Sequence, residues 1–124
     1  GLLDYDTSYR AMLKLLDERH RLGFTAVVCG SDHMALGVRQ AILERGLRIP
    51  EDLSIIGMDD VFYAGLAGID LTTVRVPRVE SGRLAAKLLI ERIANPSKEQ
   101  EIHILETELI CRESCCPLKG EENI

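Results

Sequence analysis

Three short runs of largely β-branched residues, TAVVC (25–29), LSIIG (53–57) and LTTVRV (71–76), constrain this chain more than anything else in it. Each is too brief for a helix, lacks a polar alternate face, and is bounded by glycine, proline or polar residues, as a strand buried on both faces requires. Helical periodicity fills the gaps. Tyr9, Met12, Leu13 and Leu16 recur at helical intervals over 7–20, with Asp6 or Thr7 placed to cap the start and Gly23 just past the end. Met34, Val38, Ala41 and Ile42 do the same over 34–45, with Ser31 or Asp32 as N-cap and Gly46 as C-cap. A longer helix is expected over 79–94, with Leu84, Ala85, Leu88, Leu89 and Ile93 on one side. The segment 101–112 reads as extended, with Leu105, Thr107, Leu109 and Cys111 alternating against Glu106 and Glu108. The stretch VFYAGLAGI after the acids has room for a short helix. Strands that alternate with helices in this way predict an α/β chain with a parallel, doubly wound sheet covered by helices.

In such sheets ligands gather at the carboxyl ends of strands. Two polar clusters fall there: GSDH (30–33) after the first strand and the acid pair Asp59-Asp60 after the second. The acids can serve as a catalytic pair, metal ligands, helix or turn caps, or acceptors for ligand hydroxyls. Adjacent residues leaving a strand point in different directions, which disfavours shared acid–base work. No Walker or GxGxxG pattern accompanies them, so neither a nucleotide cofactor nor a magnesium site is expected. Ser31-Asp32-His33 cannot fold back on itself as a catalytic triad, and no GxSxG elbow exists, so an enzyme is the weakest reading. Arg75 is expected to pair with a nearby acid.

Composition removes other classes. A net charge of −5 without a basic cluster leaves nothing to grip phosphates, so this segment does not bind nucleic acid by itself. No apolar run is long enough to span a membrane, and the first residues, GLLDYDTSYR, lack the basic and apolar regions of a signal peptide. They also lack an initiator methionine, which points to a longer parent chain. Cys29, Cys111, Cys115 and Cys116 include no CxxC pair, so free thiols in a reducing, cytoplasmic setting are expected rather than a zinc site.

Taken together, FTAVVCGSDHMALGVRQAILERGLRIPEDLSIIGMDD, LTTVRVPRVESGRLAAKLLIERI and ETELICRES resemble the ligand-sensing domain of the LacI/GalR family of bacterial transcription regulators, over about residues 1–117. The resemblance implies the C-terminal lobe of a periplasmic-binding-protein type I-like fold, with 79–94 belonging to the N-terminal lobe, 118–124 a tail, and the DNA-binding head and most of the N-terminal lobe lying outside this sequence. It implies a repressor-type regulator whose small-molecule effector, a sugar or related polar metabolite, binds between the lobes, and a homodimer that touches DNA through that head. Asp59 matches the family acid that bonds effector hydroxyls or ring nitrogens. Asp32 matches the acid of the family's Asn-Asp pair, and Ser31 stands at the Asn position with a shorter side chain and no amide donor. The outer side of helix 34–45, with Leu36 and Arg39, matches a dimerisation surface. Residues 1–9 align with an opening that follows an effector-binding arginine, and Leu2 and Leu3 replace its usual acid and aromatic. A transport-type sugar-binding protein of the same fold is the alternative.

Overall fold

The computed structural model describes residues 4–118. Leu2 and Leu3, and the tail beyond Leu118, lie outside the described residues. Four strands form one sheet in chain order: β1 (Ala26–Val28), β2 (Ser54–Asp59), β3 (Thr72–Arg75) and β4 (Glu108–Ile110). The first three are parallel, with Val27 opposite Ile55 and Gly57 opposite Thr73. β4 runs antiparallel to β3, pairing Arg75 with Glu108, so the sheet is mixed rather than wholly parallel.

The helices are α1 (Tyr5–Asp17), the single turn α2 (Arg19–Leu22), α3 (Asp32–Glu44) and α4 (Arg78–Ala94), with a short 3-10 turn at Phe62–Gly65 after the acids. Asp4 caps α1 by accepting from Thr7 N at 2.7 Å, in place of the expected Asp6 or Thr7. Gly23 ends α2 at φ 65°. α3 closes with a Schellman motif: Gly46, at φ 70°, donates to Leu43 O and Leu47 N to Ile42 O.

The core lies between α3 and the sheet, with α1 packed on α3. Met12, Val38, Ala41, Ile42, Leu53 and Ile55 are buried there together. Gly37 lets α1 come close, because a Cβ at that position would overlap Tyr5 O and Ser8 Oγ. Ser8 fixes the crossing with a hydroxyl whose one proton is shared between Tyr5 O at 2.8 Å and Met34 O at 2.9 Å.

Two further expectations change. The segment 101–112 is not one long strand. Only Glu108–Ile110 pairs, and Leu109, expected on the inner face, is 56 % exposed while Ile110 is half-buried. β2 also runs further than its apolar run, ending on Asp59 itself. α4 buries none of its residues: Val79, Leu89, Ile90 and Ile93 are exposed, and Leu84 and Leu88 are half-buried. No helix of the described residues is long and apolar enough to cross a membrane, and all four cysteines are free thiols.

The sheet and α3 are joined by one buried carboxylate. Asp32 is fully buried and accepts from the Thr73 hydroxyl at 2.5 Å and from Val61 N at 2.9 Å. Gly57 makes room for it, since a Cβ there would overlap Asp32 Oδ1 and press on Leu71. Asp32→Ala strands the Val61 N–H and the Thr73 hydroxyl without an acceptor and is expected to cost about 3 kcal/mol, read as a lowered urea midpoint. Gly57→Ala is expected to cost about 1–3 kcal/mol by overpacking, and full stability in that variant would contradict the close approach.

Candidate functional site

The carboxyl ends of β1 and β2 and the start of α3 form one edge. After β1 the chain passes Cys29 and Gly30 to Ser31, whose extended backbone and side-chain oxygen make it the N-cap of α3, accepting from Met34 N at 3.2 Å. The resemblance placed both Ser31 and Asp32 against an effector. Ser31 is half-buried at this edge. Asp32 is not available to a ligand: it points into the protein, and both its oxygens are taken by Thr73 and Val61. The reason lies at the first residue of the helix, where a carboxylate facing Gly57 on the neighbouring strand can reach the backbone beyond it. Asp32 supports the edge from beneath.

The two acids that end β2 divide sharply. Asp60 is engaged on every side. Its side chain is 10 % exposed and accepts from Arg112 Nη2 at 2.6 Å and from Arg75 Nε at 2.7 Å. Its carbonyl lies 3.4 Å from Arg78 Nη2. Burial raises the pKa of this carboxyl, but the bonds and charges of Arg112 and Arg75 outweigh burial and hold it below the ordinary carboxylate range. Asp59 is half-buried and makes no side-chain hydrogen bond or ion pair among the described residues. Its φ of 113° is one that residues with a Cβ rarely adopt, and Asp60 follows at 50°. The carboxylate of Asp59 thus stands without a side-chain partner among the described residues, on a strained backbone at a strand end.

Around these acids the edge mixes aromatic and cationic groups. Tyr63 lies close enough to feel them, and burial followed by the negative charges of Asp32 and Asp59 pushes its phenol upward. Phe62 is 86 % exposed beside them. A hollow of about 720 Å³ opens between Asp60, Arg75 and the first turns of α4, where Arg78, Arg83 and Leu84 line it. No cluster of three or more metal-ligating side chains occurs among the described residues.

Arg112 was not singled out by sequence reasoning. It sits 52 residues from Asp60, and no local spacing announces the pair. Its Nη1 also donates to Leu71 O at 2.7 Å, and Thr72 Oγ1 accepts from its backbone N–H at 2.9 Å. The following Ser114 is buried, donating to Ile55 O and accepting from Thr72 N. The segment after β4 is thereby stitched between β2 and β3. Of the expected dimer contacts, Leu36 is half-buried and Arg39 donates to Gly68 O across to the loop before β3.

Comparison with known proteins places this geometry. A family model described as a periplasmic binding protein-like domain matches residues 4–115. The ribose operon repressor of Haemophilus influenzae is 40 % identical over 116 residues, covering 94 % of this chain and 34 % of its own length. The HTH-type transcriptional repressor PurR of Klebsiella pneumoniae is 39 % identical over 114 residues, covering 92 % of this chain and 33 % of its own. The chain thus spans about a third of the length of these curated relatives. Among solved structures, a LacI family regulator from Enterococcus faecium with bound ribose superposes with a TM-score of 0.82 at 36 % identity, covering 94 % of this chain and 42 % of that one. A complex of the transcriptional regulator CelR with cellobiose gives a TM-score of 0.84 at 37 % identity, covering 92 % of this chain and 34 % of that one. The chain that carries this strand-end edge belongs to the periplasmic-binding-protein-like domain family, in the form carried by LacI/GalR transcriptional regulators.

Proposed function

We propose that this segment is the effector-facing part of the sensor of a cytoplasmic, repressor-type transcriptional regulator, and that its effector is a small sugar. The observation that carries this reading is the unpaired carboxylate of Asp59 at the carboxyl end of β2. An ionised carboxylate accepts several charge-assisted hydrogen bonds, and adjacent hydroxyls on a sugar ring present donors at matching separation. The Ser31 hydroxyl accepts from Met34 N and can still donate its own proton to a ring or hydroxyl oxygen. Relatives solved with ribose and cellobiose support a sugar over other polar metabolites.

In this reading the other wall of the cleft, and the head that reads DNA, belong to the rest of the parent protein. The 17-residue helix α4, with no buried residue of its own, packs on that second lobe. The protein works as a homodimer through the outer side of α3, with Leu36 and Arg39 at the contact. Effector bound between the lobes favours one closure state, and the linked dimer geometry changes operator affinity by the same coupling free energy, about 1–3 kcal/mol.

D-ribose is the first probe. In the full-length protein, isothermal titration should give saturable binding, and Asp59→Ala should weaken it by about 10- to 150-fold, the equivalent of one charged hydrogen-bonding group, with operator binding in the absence of sugar retained. A sugar panel with no binder overturns the sugar reading, and an unchanged titration in the variant removes Asp59 from the site. Leu36→Glu should shift the sedimentation coefficient from dimer to monomer. A dimer that survives it places the contact elsewhere.

A further inference from the structure

We propose that Asp60 is a positioning residue for Asp59, acting through a two-arginine clamp that holds the effector-facing carboxylate in a backbone conformation it would otherwise leave. The inference rests on the reading of Asp59 as the effector acceptor and adds to it the device that aims that acceptor.

Along β2 the side chains alternate. Ile55 and Gly57 are buried toward α3, Ile56 is half-buried and Met58 is exposed. A regular strand would carry residue 59 on the same face as Ile55 and Gly57, where the Asp32 carboxylate already sits against Gly57. A second negative charge there would meet the first. The chain avoids this by departing from strand geometry at residue 59, with φ 113°, and again at residue 60, with φ 50°. Two consecutive positive φ values at residues with a Cβ are costly and persist only when the surroundings over-determine them.

Asp60 supplies that over-determination. Arg112 Nη2 holds one carboxylate oxygen at 2.6 Å and Arg75 Nε the other at 2.7 Å, while Arg78 approaches the carbonyl. Both arginines are themselves tied down, Arg112 to Leu71 O at 2.7 Å and Arg75 to Glu108 at 2.9 Å. Residue 60 therefore cannot turn without breaking its bonds to Arg75 on β3 and to Arg112 after β4. With residue 60 fixed, the peptide joining it to Asp59 is fixed as well. The clamp also has reach: Arg75 ends the strand that leads through Pro77 into α4, and Glu108 begins the strand by which the chain returns. A force on Asp59 is passed by Asp60 to both connections.

A thermodynamic cycle on the full-length protein tests this without any ligand. Asp59→Gly removes both the charge and the Cβ that makes φ 113° costly, whereas Asp59→Asn removes the charge alone. The Gly variant should unfold a few degrees above the Asn variant by differential scanning calorimetry. In an Asp60→Asn background, where the arginines lose their charged acceptor, residue 59 can relax and the Gly-over-Asn difference should shrink to within error. Should Asp60→Asn fail to fold, Arg75→Gln at a half-exposed guanidinium should reduce the difference without abolishing it. An undiminished Gly-over-Asn difference in these backgrounds overturns the proposal, since Asp60 would then stabilise the fold without aiming Asp59. A D-ribose titration of the same variants separates the two ideas. Absence of binding in the unsubstituted protein counts against the sugar reading alone, while the cycle still decides the clamp.

Discussion

The strand-end edge that carries the two acids stands on the Asp32 carboxylate. A buried ionisable group is costly unless its oxygens are met, and here one is met by a hydroxyl on β3 and the other by the backbone just after β2. The bond to Val61 N fixes the chain immediately after the two acids, so the start of α3, the end of β2 and the middle of β3 are held at one point. Gly57 is the cost of this arrangement in the sequence: no side chain larger than hydrogen fits between the strand and the carboxylate. Asp32 and Gly57 lie 25 positions apart, yet neither residue type makes sense without the other. Once that contact forms, the places available to the next acids on β2 are few.

Those next acids take opposite roles because their surroundings differ. Asp60 finds two guanidinium groups, and the pair of charge-assisted bonds repays its burial. Asp59 finds none, and stays unmatched among the described residues on a strained backbone. A carboxylate used for recognition must be left in need of donors in the empty state, or the ligand would gain nothing by arriving. If Asp59 is the effector acceptor proposed above, a fully satisfied acid beside an unsatisfied one lets rigidity and recognition come from neighbouring positions.

Much of this was legible in the residues. The three parallel strands followed from β-branched runs too short for helices, and α3 followed from the spacing of Val38, Ala41 and Ile42, because burial on one face writes its period directly into the chain. Ser31 as N-cap and Arg75 as the partner of an acid were also readable from local chemistry. What was hidden is non-local. The acid expected at the effector proved to be internal in the case of Asp32, since only the fold brings Gly57 and Thr73 beside it. Arg112 carries no local mark of its bond to Asp60. The alternation expected over 101–112 failed for a similar reason: a period of two signals a strand only when a partner lies alongside, and β3 accompanies that segment for just three residues.

α4 shows the same dependence from the other side. Its sequence reads as a good amphipathic helix, with leucines and isoleucine at helical spacing, yet Leu89 is 61 % exposed and Ile93 71 % exposed. A helix of 17 residues draws little stability in water from backbone bonding alone, and most of what it needs comes from burying one face. Within residues 4–118 that face is covered no further than half-burial of Leu84 and Leu88, while the helix begins directly after Pro77, two residues past the arginine that holds Asp60. Whatever surface covers α4 thus pulls on the same strand end that fixes the acids. A surface that shifted relative to the sheet would move α4, load Arg75, and change the geometry offered by Asp59. In the proposed reading, recognition at the edge and packing of α4 are for that reason two ends of one mechanical connection, and the connection runs in both directions.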